Sequence, residues 1–151
     1  MIMEIANTKE TRFSTGAAFR IYGVGLDLDD ITRQLGAKPD HRHTKGDLDP
    51  GGKPYAHDMW SLRSAIAKDE ELEGHLLWLA DRLLSRRDYI LSLRKGFNVD
   101  IYCWKNCFTE QSSLILSTRA LRIFTELDID LSVSLLCLPH ESKTKDGGWV
   151  D

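Results

Sequence analysis

Residues 69–95, DEELEGHLLWLADRLLSRRDYILSLRK, hold the longest regular pattern in the chain. Leu72, Leu76, Leu79, Leu83, Ile90 and Leu93 recur at three- and four-residue steps with no proline between them, the spacing of one amphipathic helix. Asp69, Glu70 and Glu71 put negative charge at its start, and Arg94 and Lys95 put positive charge at its end. Gly96 then predicts a left-handed stop. Such a helix would run roughly 40 Å, enough to lie across a sheet and set its width.

Outward from it, strands are expected on both sides. Met59 to Arg63 alternates, with Trp60 and Leu62 on one face and Ser61 and Arg63 on the other. Val99, Ile101 and Cys103 alternate in the same way with Asp100, Tyr102 and Trp104. Phe13 to Val24 is a strand with Ala17, Phe19 and Ile21 opposed to Ala18, Arg20 and Tyr22. A short helix follows, carrying Leu28, Ile31 and Leu35, with Asp29 as N-cap, Gly36 as stop and Pro39 just beyond. Asp40 to Lys45 suits an edge strand. Three glycines and two prolines among the thirteen residues 46–58 predict an exposed, mobile loop. Leu114 to Leu116 reads as a short return strand. Ser117 caps a helix bearing Leu121, Ile123, Phe124 and Leu127, and Ile129, Leu131, Val133 and Leu135 alternate as a last strand.

Every clear strand has one apolar and one polar face, which requires helices on one side only. The expected fold is α+β: an open, mostly antiparallel or mixed sheet with a ferredoxin-like β-α-β-β-α-β start and a further helix and strand. One domain of 151 residues accounts for the whole chain, with its core at about 13–138 and a loop-like tail at 139–151 that only Trp149 could dock.

The composition, 42% hydrophobic and 28% charged, excludes a disordered or fibrous chain, and a net charge of -3 argues against a dedicated nucleic-acid binder. No apolar run nears the roughly 18 residues of a membrane span. Met1 to Arg12 lacks the basic start and apolar middle of a signal peptide, so a cytoplasmic location is expected. Cys103, Cys107 and Cys137 are an odd number; they are read as reduced core residues, and Cys103 and Cys107 would stand about 13 Å apart on one strand, too far for a bond.

In the segment 29–47, DDITRQLGAKPDHRHTKGD, Ile31 and Leu35 are followed by Leu-Gly, a proline three residues on and Lys45-Gly46. Trp60-Ser61-Leu62, the acidic-start helix and a leucine-rich helix entering Leu-Asp-Ile-Asp-Leu come after. Together these resemble the bacterial family known as domain of unknown function 4279, over about Phe13 to Leu138. The resemblance implies a small α+β domain and supplies no catalytic residues.

Two groups of side chains bear on function. By strand parity Arg20, Tyr22, Arg63, Tyr102 and Trp104 share the face opposite the core, and aromatics with arginines are the composition of a protein-binding hot spot. Scattered surface aromatics are also ordinary, and the tail with Trp149 could fold over them. His41 and His43 lie two apart on one strand face, and His57 and Asp58 would complete four metal ligands if the loop folds back. Arg42 and Lys45 oppose a dication there. Asp47, Asp49 and Asp58 fall at the first, third and twelfth positions of a calcium-type loop with Gly52 at the sixth, but Gly51, Lys53 and the short Asp58 break that pattern. No nucleophile elbow or phosphate-binding glycine loop occurs.

The leading reading is an interaction module without cofactor, binding a protein partner or its own copy through the sheet face and the Gly46 to Asp58 loop; an immunity-like role is one refinement that no residue selects. The alternatives are a metal-binding protein or metal-dependent hydrolase at His41, His43, His57 and Asp58, and a single-stranded nucleic-acid binder stacking bases on Tyr22, Tyr102 and Trp104.

Overall fold

The computed structural model describes residues 12–138; the predicted tail with Trp149 and most of the N-terminal segment lie outside them. Five strands, β1 (Phe13–Gly23), β2 (His41–His43), β3 (Asp58–Arg63), β4 (Asn98–Cys107) and β5 (Val133–Cys137), form one open mixed sheet in the order β2-β3-β1-β4-β5. The first four pair antiparallel in the order of a ferredoxin-like unit, and β5 joins β4 in parallel. The helices are α1 (Leu28–Leu35), α2 (Leu72–Leu83), α3 (Arg87–Leu93) and α4 (Thr118–Leu127).

Strand parity sets the two faces as the sequence implies. Ala17, Phe19 and Ile21 of β1, Trp60 and Leu62 of β3, and Ile101 and Cys103 of β4 are buried in one cluster with the apolar residues of the helices. Trp60 is fully buried, and its Nε1–H donates to Thr32 Oγ1 of α1 (3.0 Å). The helices therefore cover one face, and among the described residues none covers the other.

The long helix does not run unbroken. Leu72, Leu76, Leu79 and Leu83 keep the core phase, but the next turn of that stripe offers Arg86 and Arg87. The backbone tightens into a 3-10 turn at Leu84–Arg86, both arginines stay exposed, and Arg87 reaches Glu126 on α4 (3.2 Å) before Ile90 regains the core. The start is also later than the acidic run predicts. Thr15 of β1 holds this segment as a turn, its Oγ1 donating to Glu70 O (2.5 Å) and its N–H to Lys68 O (2.8 Å). Gly96 is not left-handed; the exit is made by tightened i→i−3 bonds such as Gly96 N–H to Leu93 O (3.2 Å).

Other boundaries differ for local reasons. Asp27, not Asp29, caps α1 by accepting from Asp30 N–H (3.1 Å), whereas Asp29 pairs with Arg42 of β2 (2.8 Å). Gly36 does take the left-handed stop (φ 64°), and Ser117 does cap α4 through Ala120 N–H (3.1 Å). Leu114–Leu116 forms no strand. The last strand begins only at Val133, because Asp128 ends α4 in a left-handed conformation (φ 54°) and Ile129 turns back to Phe124 O (2.8 Å). Leu131, before the strand, and Leu135, within it, are exposed rather than core.

Candidate functional site

The uncovered face is shaped by the small residues at its centre. In register, Gly16 of β1 stands opposite Trp104 of β4, and Ala18 stands between Arg63 of β3 and Tyr102 of β4. Because Gly16 has no Cβ, the indole of Trp104 lies on the strand itself: an added Cβ would come 2.0 Å from its Cζ2. The indole thus reaches towards β3, where the Arg63 guanidinium sits 5.1 Å from its ring centre. Tyr102 stacks on Trp104 from the other side, with centroids 5.6 Å apart. A groove of about 640 Å³ runs over this shelf, bordered by His41, Arg63, Tyr102, Trp104 and Leu136.

Arg20 and Tyr22 are tied up at one end of the shelf. Arg20 Nε and Nη2 donate to the two Asp100 oxygens (2.8 and 2.7 Å), and this bond raises the guanidinium pKa further. Tyr22 donates to the same carboxylate (3.4 Å), and burial and that negative charge push its hydroxyl up. No carboxylate forms an ion pair with Arg63 within the described residues. A second hollow, about 360 Å³, shares Arg20 and Tyr102 with the groove and continues it towards Arg94, Asp128 and Asp130. Of the five predicted face residues, the structure gathers all on one side; Arg20, Arg63, Tyr102 and Trp104 border the groove, and of its two arginines Arg63 has no ion-pair carboxylate among the described residues.

The predicted metal ligands divide differently. His41 Nε2 and His43 Nδ1 are 2.7 Å apart, and the 44–57 segment folds back so that Tyr55 stacks on the His43 ring at 3.4 Å. His57 lies farther along, 6.1 Å from His43 by ring centres and 5.3 Å from Tyr22. Asp58 turns away: its Oδ2 accepts from Gly25 and Leu26 N–H (2.8 and 2.9 Å) and its Oδ1 from Lys45 N–H (2.7 Å). These bonds, led by Lys45, hold its carboxyl below the ordinary range. Burial, aided by the electrostatic influence of His41 and His57, pushes the His43 imidazole below its ordinary pKa, and its Nε2 is buried without a hydrogen-bond partner among the described residues. Among the described residues no group of three or more His, Cys, Asp or Glu is placed to hold a metal ion.

The 46–57 segment is a bonded hairpin. Gly46 N–H donates to Tyr55 O (3.0 Å), Tyr55 N–H to Asp47 O (2.8 Å), and Leu48 bridges Pro54. Asp47 and Asp49 spend their carboxylates on local amides, those of Thr44, Gly51 and Lys53, so the acidic residues with calcium-type spacing each serve a turn. Gly16 was the residue that the sequence reading missed on the sheet face. Its signal was a glycine inside an otherwise regular strand pattern, which marks a close approach.

No helix of the described residues is long and apolar enough to cross a membrane. Neither a curated protein nor a solved structure matches the chain. Residues 10–138, most of the chain and the whole sheet with its helices, match the family described as domain of unknown function (DUF4279), and the chain belongs to that family.

Proposed function

We propose that the protein is a cytoplasmic interaction module whose uncovered sheet face binds an extended segment of a protein partner bearing acidic and apolar side chains. The observation that carries this reading is Arg63: a guanidinium over Trp104, without an ion-pair carboxylate among the described residues, at the edge of a groove that also presents Tyr102 and Leu136. A carboxylate on the partner supplies the missing charge, and its apolar neighbour covers the ring surface. Arg20 and Tyr22 set the end of the groove through Asp100 and contribute little charge of their own.

The test is a titration followed by amide chemical shifts, using synthetic extended peptides that alternate Glu with Leu, the same peptides with Lys for Glu, and oligo-thymidine. The acidic peptide is expected to move the resonances of Arg63, Tyr102, Trp104 and residues 134–136, and the lysine peptide is not. Shifts confined to other regions, or equal shifts with both peptides, contradict the proposal. A response to oligo-thymidine that weakens with salt would transfer the face to nucleic acid, and shifts that depend on protein concentration alone would transfer it to a second copy of the chain.

A further inference from the structure

Cys107 is buried at the end of β4, and Cys137 is exposed at the end of β5. The parallel register of the two strands sets them directly opposite each other, with Leu138 N–H to Cys107 O (2.8 Å) continuing that register beyond them. Neighbouring strands are about 4.8 Å apart, within the roughly 4.4–6.8 Å that a disulfide spans between Cα atoms. Residues paired across two strands project to the same face, so the two side chains are neighbours. Their contact is felt electrostatically: the hydrogen bond with Cys107 pushes the Cys137 thiol up, and Lys105 on the same strand face opposes that shift. Cys103 stands four residue pairs away along the ladder, buried in the core, with its thiol pushed up to about 12 by desolvation. It belongs to the packing, whereas Cys107 and Cys137 are a facing pair. Reading all three cysteines as core residues overlooked this, because the pairing is created by the β4–β5 register and by the exposure of Cys137.

We propose that Cys107 and Cys137 form a reversible disulfide that fastens the edge strand β5 to β4. The oxidant is a low-molecular-weight disulfide of the glutathione class. The exposed Cys137 thiolate attacks one sulfur of that disulfide, the S–S bond breaks, and one glutathione leaves as a thiolate that takes up a proton. Cys107, after giving its proton to solvent, attacks the Cys137 sulfur and expels the second glutathione in the same way. The two cysteine thiols are oxidised by two electrons, and one glutathione disulfide is reduced to two thiols. A bond across adjacent strands at an exposed sheet edge belongs to the labile class that a cellular thiol pool can open again. It closes a loop of about 30 residues that contains α4, and it fixes the strand that supplies Ser134, Leu135 and Leu136 to the groove. The pairing follows from register and burial, independently of what the groove binds.

The full chain is equilibrated in glutathione redox buffers of increasing oxidised fraction, quenched in acid, denatured and alkylated. In oxidising buffer the expected product is a monomer two hydrogens lighter, alkylated only at Cys103, with a peptide map joining the Cys107 and Cys137 segments. Dithiothreitol should restore three alkylated cysteines. The variant Cys137→Ser, at an exposed position, should show two alkylated cysteines at every ratio. Three free thiols in the most oxidising buffer, glutathione retained on Cys137, or a covalent dimer would each overturn the proposal.

Discussion

Replacing Asp58 by alanine removes one side chain and strands three backbone amides. Gly25 and Leu26 sit in the connection between β1 and α1, and Lys45 sits just after β2, so this single carboxylate ties both connections to the start of β3. The residue is only 6% exposed, and water does not readily replace it. A hydrogen bond to a charged group contributes about 1.5–3 kcal/mol, and bonds sharing one acceptor group add incompletely, so about 3 kcal/mol is expected for Asp58→Ala. For a chain of this size each kcal/mol moves Tm by about 2–4 °C, giving a drop of roughly 6–12 °C at pH 7.5 by circular dichroism. The sign of the pH dependence follows from the depressed pKa: the contribution is complete above the unfolded-state value near 4 and is lost as pH falls through the folded-state value. Wild type and variant should therefore converge in acid. A variant melting within about 2 °C of wild type, or a gap that stays constant down to pH 3, would refute the assignment of Asp58 as an anchor.

Three further outcomes test other parts of the structure. Burial depresses the imidazoles of both His43 and His75, so their neutral forms favour the fold above the unfolded-state pKa near 6.5 and that stability fades as pH falls below it; the urea midpoint should decline more steeply from pH 7 to 5 in wild type than in His43→Phe, and equal slopes would contradict this. Gly16→Ala must push the Trp104 indole off the sheet, costing about 1–3 kcal/mol and changing tryptophan emission and acrylamide quenching, and unaltered emission would contradict the close approach. Ser117→Ala loses the bond to Ala120 N–H at the start of α4 but keeps the backbone bond to Glu73, so a loss of about 1 kcal/mol is expected in chemical denaturation; a loss above about 3 kcal/mol would show that more than the cap was removed.

Much of this architecture can be read directly from the residues. Period-two alternation in β1, β3 and β4 identifies the core face because one wrong step would bury Arg20 or Tyr102, and Gly36 and Ser117 mark helix ends through their own backbone and side-chain chemistry. The features that escaped depend on partners distant in the chain. The break at Leu84–Arg86 reflects where two arginines leave the core and Arg87 reaches Glu126 of α4, and the acidic run before Leu72 is held as a turn by Thr15. Asp58 looked like a ligand because its amide partners, Gly25, Leu26 and Lys45, are brought to it only by folding. The sheet-face residues could be grouped by parity, but parity alone could not tell Arg20, bound to Asp100, from Arg63, set over Trp104, nor show that Gly16 makes room for the indole.

The most direct measurement is a calorimetric titration of the alternating Glu/Leu peptide into wild type and Arg63→Glu, with melting curves of both proteins taken in the same buffer. Arg63 is exposed, so the variant should melt as wild type does while its binding falls at least tenfold through loss of one charge-assisted contact and gain of a repulsive one. Equal affinity in the two proteins, with both folded, would contradict the assignment of the uncovered face as the binding surface.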